Sequence, residues 1–299
     1  MAELSEAPNR PAQKSLMAHF HLMHCIPDPR MHGLNGYKEV IETVGWGLEQ
    51  LGQRATYAIN ESAADATNIV FGAQVMPVAA LGELPRGTII YNFEQLRDVA
   101  VERIRSEIRY YARVPHFIIW DYSAANLPSW RALERPDVKI VPVGYAPILS
   151  RIPKAATQDI DVLLYGLSGE RRLQTFHGLS RLGLSTLFVS GLYGAARDEL
   201  ISRAKVVLNI NLYAQMRIFE IVRVSYLLAN RKAVVADRDA NTSIEDDVQS
   251  AVGFASSLKE LLDLCAKLVN DQSERSALEE RGFACISRRD IKGILERAL

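Results

Sequence analysis

The sequence predicts an α/β protein built from two parallel-sheet domains in tandem. Three observations carry that expectation. Short apolar runs alternate with longer amphipathic segments, the rhythm of parallel strands joined by crossover helices. The apolar runs lack strict alternation, as strands covered on both faces do. The rhythm also breaks once, near residues 144–160, and restarts, in a chain of 299 residues. One domain typically takes ~150 residues.

In the first half, residues 16–23 (LMAHFHLM) read as a strand, followed by the loop CIPDPRMHGLNG. Residues 37–51 place Val40, Val44, Leu48 and Leu51 at helical spacing, with Gly52 as the stop. Short strands follow at 55–59 (ATYAI), 68–71 (NIVF) and 88–91 (TIIY). A helix is expected over 96–113, then strands at 116–120 (HFIIW) and 139–143 (KIVPV). The segment 144–160, with two prolines and no clear period, reads as the linker.

In the second half, strand 161–165 (DVLLY) leads into a loop and helix 170–182. Strand 186–189 precedes helix 194–203, and strand 205–210 precedes helix 217–230. Strands 232–236 and 252–255 follow, then helices over 257–270 and 273–298. The expected architecture is two Rossmann-like domains, 1–150 and 151–299. They face a cleft built from loops at the carboxyl ends of their strands, where open parallel sheets bind ligands.

Composition narrows the function. Lys and Arg number 35 and Asp and Glu number 35, so the formal charge is zero. Each half is close to neutral by itself. That disfavours a bulk field holding nucleic acid or an anionic membrane, and leaves room for a local basic patch. Cys25, Cys265 and Cys285 are too few and too scattered for a disulfide framework or a zinc site. Reduced thiols point to a cytoplasmic protein. No apolar run reaches the ~18 residues of a membrane span. The N-terminal MAELSEAPNRPAQK has no apolar h-region and reads as a frayed tail.

Candidate site residues are those at strand carboxyl ends. His32, Gly33 and Gly36 precede a helix, where backbone N–H groups can approach a phosphate, although a plain turn explains the glycines equally. The spacing is not GxGxxG, so a dinucleotide cofactor is not expected. After strand 88–91, Glu94 could be a base or bind sugar hydroxyls; alternatively Asn92 and Gln95 form a helix capping pair. Asp121 ends the next strand, where a site role competes with a cap formed by Asp121-Tyr122-Ser123.

In the second half, Gly166, Ser168, Arg171 and Arg172 lie between a strand and a helix, a location suited to a diphosphate. Asn211, Tyr213 and Gln215 follow strand 205–210. Glu220 and Arg223 open the next helix, and a carboxylate there can chelate the two hydroxyls of a ribose. His19, His21 and His24 invite a metal reading, but two strand residues and one loop residue fit core histidines better, and no metal site is expected. Arg105, Arg109 and Arg113 form one helical stripe. It reads as a solvated face or as a contact for an anionic acceptor.

The stretch from Phe219-Glu220 through Leu228-Ala229-Asn230-Arg231-Lys232-Ala233-Val234-Val235 resembles the donor-domain signature of GT-B glycosyltransferases. It is closest to the group 1 and CgeB-like type. Phe254-Ala255 followed by Glu279-Glu280-Arg281-Gly282-Phe283 resembles their closing segment. His32-Gly33 to Gly36-Tyr37-Lys38-Glu39-Val40 and Tyr91-Asn92-Phe93-Glu94-Gln95 are similar to members of the same set. The resemblance implies an acceptor domain first and a nucleotide-sugar domain second. It implies glycosyl transfer from a nucleoside-diphosphate sugar as co-substrate, with no cofactor and no obligatory metal; helix dipoles and arginines stabilise the leaving diphosphate. Gly166, Ser168, Arg171 or Arg172 then hold the diphosphate and Glu220 the ribose. Gly33 and Gly36 approach the phosphates from the other domain, and Glu94 or His32 serves the acceptor. Many relatives carry a second glutamate eight positions after the first. Here that position is Leu228, and aligning the turn at Ala229 puts the second glutamate on Tyr226. The anomeric outcome therefore stays open.

Two other functions remain: a nucleotide-sugar epimerase or hydrolase on the same fold, and a non-catalytic nucleotide-sugar-binding protein. The acceptor stays open among saccharide, lipid-linked sugar, peptide, small molecule and modified nucleobase. Neutral charge favours a small anionic donor over a polyanionic partner.

Overall fold

The computed structural model describes residues 17–213 and 216–299; the expected tail and Gln215 lie outside them. The first sheet holds β1 (His19–His24), β2 (Arg54–Ile59), β3 (Thr67–Phe71), β4 (Ile89–Asn92), β5 (Ile118–Asp121) and β6 (Lys139–Ile140). Its order is β2-β1-β3-β4-β5-β6. The second holds β7 (Ile160–Tyr165), β8 (Thr186–Val189), β9 (Ala204–Asn209), β10 (Ala233–Asp237) and β11 (Gly253–Ala255), in the order β11-β10-β9-β7-β8. Every pairing is parallel. The expected α/β class is what the chain adopts.

The central strands are apolar runs because both their faces are covered: Ile69, Val70, Phe71 and Ile90 have no exposure. The covering helices in the first half are α1 (Lys38–Gln50), α2 (Val78–Gly82), α3 (Ser106–Arg113) and α4 (Leu127–Ala132). In the second half they are α5 (Glu170–Arg181), α6 (Gly194–Arg203), α7 (Ile221–Ala229), α8 (Leu258–Asn270), α9 (Gln272–Ser287) and α10 (Ile291–Ala298). Helix α1 buries Val40, Val44 and Leu48 and stops before Gly52, whose φ of 73° suits glycine.

Each sheet has an apolar cluster on its outer face. A third cluster runs through both units, joining Val44 and Leu48 of α1, Leu295 of α10, Leu228 of α7 and Val207 of β9. In each sheet the chain reverses direction beside the first strand, β1 or β7, and the loops at those carboxyl ends face each other.

Three expected helices are shorter than the sequence pattern suggests. The helix expected over 96–113 is confined to α3. Leu96 and Arg97 instead donate their backbone N–H groups to Asn126 Oδ1 at 2.8 and 3.1 Å, and Asp98 takes a φ of 60°. Helix α7 begins at Ile221 because residues 217–219 are held extended, Phe219 N donating to Ser243 O and Ser243 N to Arg217 O. The last helix splits into α9 and α10, Asp290 capping α10 through the Lys292 and Gly293 N–H groups.

The split sends α10 back to the first unit. Tyr145 N donates to Arg289 O at 2.7 Å, Ile291 N to Tyr145 O at 3.2 Å, and Lys139 Nζ to Ala298 O at 2.6 Å. Helix α10 then packs on α1 so closely that a Cβ at Gly47 would lie 2.8 Å from Leu295 Cδ1. An alanine there would force Leu295 or Ile291 to shift.

Candidate active site

The facing loops enclose a cleft of about 300 Å³. From the first unit it is lined by Gly33, Gly36 and Tyr37, by Glu39 of α1, by Phe93, Glu94 and Gln95 after β4, and by Tyr122 after β5. From the second come Tyr165 and Gly166 after β7, Gly191 to Tyr193 after β8, Arg197 of α6, and Met216, Glu220, Val222, Arg223 and Tyr226 around α7.

On the donor side, Glu220 occupies the N-cap of α7 and makes no side-chain cap bond, which leaves its carboxylate to the cleft. Arg223, nearly one turn on, stands 3.5 Å from Glu220. It donates to the Tyr165 carbonyl at 3.2 Å and lies 5.3 Å over the Tyr165 ring. Opposite it, Gly166 has a φ of 124°, and a Cβ there would sit 3.2 Å from Arg223 Nη2. The cleft thus brings together a carboxylate, a guanidinium, a helix amino end and a backbone that a phosphate can approach.

On the acceptor side, Glu94 Oε1 accepts from Gln74 Nε2 at 2.9 Å and from the Tyr37 hydroxyl at 3.5 Å. Burial pushes the Glu94 carboxyl above the ordinary glutamate range, and Arg105, Gln74 and Tyr37 offset part of the rise. Burial likewise raises the Tyr37 phenol, which keeps its proton. Gln95 does not complete a capping pair with Asn92. Its Oε1 accepts from the Arg217 and Ile218 N–H groups at 2.9 and 2.8 Å, and its Nε2 donates to Ile218 O at 2.7 Å. The Glu94 loop is thereby tied to the segment that sets Glu220.

The expected residues divide. Gly33, Gly36, Glu94, Gly166, Glu220 and Arg223 line one cleft; the His32 side chain lies outside the described residues. Asp121 does not reach it. Fully buried, it accepts from Asn92, Asn126, Trp130 Nε1 and the Ser123 N–H, and burial pushes its carboxyl up to about 6. It is a floor support: Asn92 and Asn126 in turn donate to the Glu94 carbonyl.

Arg172 is also turned away from the expected phosphate role. It is 4% exposed and its guanidinium is spent on the Ile210 and Leu167 carbonyls. Arg171 pairs with Asp237 at 2.6 Å in a smaller cavity on the α5 side. Ser168 and Tyr213 are exposed outside the cleft lining, and the Asn211 N–H donates to Asp237.

Sequence reasoning missed Arg197, Tyr37 and Gln74. Arg197 follows the β8 strand end in GLYGAAR, a junction that obeys the same strand-end rule. It donates to Glu39 across the cleft wall at 2.7 Å and to Asp198 at 2.8 Å. Tyr226, where the resemblance placed a second glutamate, is held between Arg197 and Arg151, at 4.8 and 5.3 Å from its ring. Its hydroxyl donates to Asp198 at 2.7 Å and accepts from Arg151 Nε at 3.0 Å.

The histidines of β1 serve the sheet edge: His19 and His21 bond Thr56, and His24 bonds Tyr57 and the Leu34 carbonyl. Among the described residues no group of three His, Cys, Asp or Glu side chains is placed to hold a metal ion, and no helix is long and apolar enough to cross a membrane.

Two parallel α/β units facing one cleft, with the last helix returned to the first unit, define the GT-B fold. Solved structures of that fold match over nearly the whole chain. HepE from Anabaena, in complex with UDP and glucose, is similar at TM-score 0.61 and 11% identity, covering 94% of this chain and 98% of that one. An alpha-glucosyltransferase in complex with UDP and a 13-mer DNA is similar at TM-score 0.62 and 10% identity, covering 94% and 98%. AviGT4, a glycosyltransferase involved in avilamycin A biosynthesis, is similar at TM-score 0.58 and 14% identity, covering 94% and 96%. No family description matches the sequence, and no curated protein matches it.

Proposed function

We propose that this protein is a cytoplasmic glycosyltransferase that moves a sugar from a uridine diphosphate sugar to an acceptor seated over the first sheet, without a metal. Within this proposal residues 1–150 serve the acceptor and 151–299 the donor, with α10 lent to the first unit, and the CgeB-like likeness of 219–235 marks the donor half. The carrying observation is the set Glu220, Arg223 and Gly166 at the second unit's strand ends. UDP bound in the structural neighbours supports the same reading.

Glu220 takes the ribose hydroxyls. Arg223 and the amino end of α7 take the diphosphate, with Gly33 and Gly36 approaching from the other side. As the bond from the anomeric carbon to the diphosphate oxygen breaks, the positive groups stabilise the charge that collects on the leaving oxygen. The acceptor hydroxyl oxygen bonds to the anomeric carbon, and its proton passes to Glu94. A carboxylate with a raised proton affinity suits that transfer better than an ordinary one. Direct displacement depends on this base; a retaining path draws mainly on the diphosphate clamp.

The test is a melting-temperature panel of UDP, GDP, dTDP, ADP and CMP, followed by turnover of the matching sugar nucleotides. UDP at ~100 times its dissociation constant should add ~2.7 kcal/mol, and Glu220→Ala should abolish most of the shift. No shift with any nucleotide would leave a non-catalytic protein. Turnover to an epimer or free sugar without need of an acceptor would favour the epimerase or hydrolase.

A further inference from the structure

Helix α3 carries Arg105 at its N-cap and Arg109 and Arg113 along its length. Steps of four residues put the three on one stripe, about 6 Å apart in axial rise. The stripe starts beside the acceptor side of the cleft, where the Arg105 charge acts on Glu94 and Tyr37. It runs away from the cleft, because α3 leads to the amino end of β5. Arg109 and Arg113 line an open groove of about 620 Å³ with Val78, Ser106, Tyr110 and Val114, and no carboxylate among the described residues lines it. Glu107 lies 3.5 Å from Arg105. Among the described residues Arg109 and Arg113 form no ion pair, and Arg109 Nε is buried without a hydrogen-bond partner.

A buried donor left unpaired costs about 1–3 kcal/mol. That leaves for an oxyanion the outer nitrogens of the Arg109 guanidinium, which lines the groove, and the planar fork matches phosphate oxygens. A single phosphate would be gripped by converging arginines. These stand in a row, so their complement is a chain with a charge at each step. One row serves one strand, and the absence of acid in the groove keeps the field local in a chain whose total charge is zero.

We propose that this groove guides the acceptor, a linear chain with a phosphodiester in each repeat, whose phosphates lie along Arg105, Arg109 and Arg113 while a hydroxyl beyond Arg105 meets Glu94. The inference rests on the glycosyltransferase reading and names its acceptor class.

The experiment measures binding of a labelled single-stranded oligonucleotide of about 12 nucleotides by fluorescence anisotropy, with inorganic polyphosphate as competitor. Three phosphate contacts on a single strand give a salt slope of about −2, an affinity loss of roughly 18-fold between about 50 and 200 mM salt. The Arg109→Gln/Arg113→Gln variant should retain a slope of about −0.7, a loss of roughly 2.6-fold. Polyphosphate should compete. Absence of wild-type binding at low salt, an unchanged slope in the variant, or failure of polyphosphate to compete overturns the proposal. The UDP melting shift, measured on both proteins, reports the donor site separately. No wild-type oligonucleotide binding with an intact UDP shift defeats the groove alone. A missing UDP shift with intact, arginine-dependent binding defeats the donor reading and leaves the groove standing as a polyanion site.

Discussion

Glu39 of α1 and Arg197 of α6 form a salt bridge at 2.7 Å, one partner from each unit, with side chains only 8% and 5% exposed. Removing one member of such a pair strands the other charge out of water, at a typical cost of 3–5 kcal/mol. Arg197→Met keeps much of the volume and leaves Glu39 with Arg151 at 3.9 Å, too far to replace a direct contact. We expect a loss of about 3 kcal/mol. Glu39→Gln strands Arg197 less, because Asp198 still accepts from it at 2.8 Å. The loss there should be about 2 kcal/mol, that of a charged hydrogen bond. The double variant buries no stranded charge and should lose about 3 kcal/mol in total, a coupling of about 2 kcal/mol. Urea unfolding followed by circular dichroism measures all four proteins, and an unchanged slope with denaturant shows that compactness is preserved. Additive losses, with coupling below about 0.5 kcal/mol, would refute a direct energetic link between Glu39 and Arg197.

The remaining expectations concern the two sides of the cleft. Glu94 must be ionised to accept a proton, and burial raises its proton affinity. Transfer should therefore rise with pH, half-maximal above the ordinary glutamate range, and kcat/KM profiles of Glu94→Gln should lack that limb; an unaltered limb would remove Glu94 as the base. Gly166→Ala forces a side chain onto a φ of 124° and brings Cβ 3.0 Å from Arg172 Nη1 and 3.2 Å from Arg223 Nη2. It should cost about 1–3 kcal/mol in stability and weaken UDP binding by calorimetry; unchanged values for both would disprove the close approach.

The strands and the cleft were legible because burial on both faces leaves unbroken apolar runs, and because parallel sheets put their loops at one end. Which way a side chain points from those loops was not. Arg171, Arg172 and Arg223 all sit near strand ends, yet only Arg223 enters the cleft. Successive helix positions turn by about 100°, and α5 covers the opposite face from α7. Asp121 shares its strand-end position with Glu94's loop but points into the floor, where four residues supply its donors. The Tyr37–Gln74–Glu94 contacts and the Gln95 tie join segments distant in sequence, and no local pattern announces them. Helix lengths failed where tertiary hydrogen bonds, such as those of Asn126 and Ser243, outbid helical periodicity.

The return of α10 has a mechanical consequence. The chain passes between the units twice, once near Tyr145 and once near Asp290, and the two passages are bonded side by side as a parallel bridge. A single tether would permit twisting as well as bending. Two adjacent tethers fix a line, and turning about that line is the movement that strains neither. Gln95, which holds Arg217 and Ile218 across the cleft, then acts as a clasp against turning about the line through 145 and 290. The Gln95 hydrogen bonds and the Glu39–Arg197 bridge are among the contacts that such a turn would break.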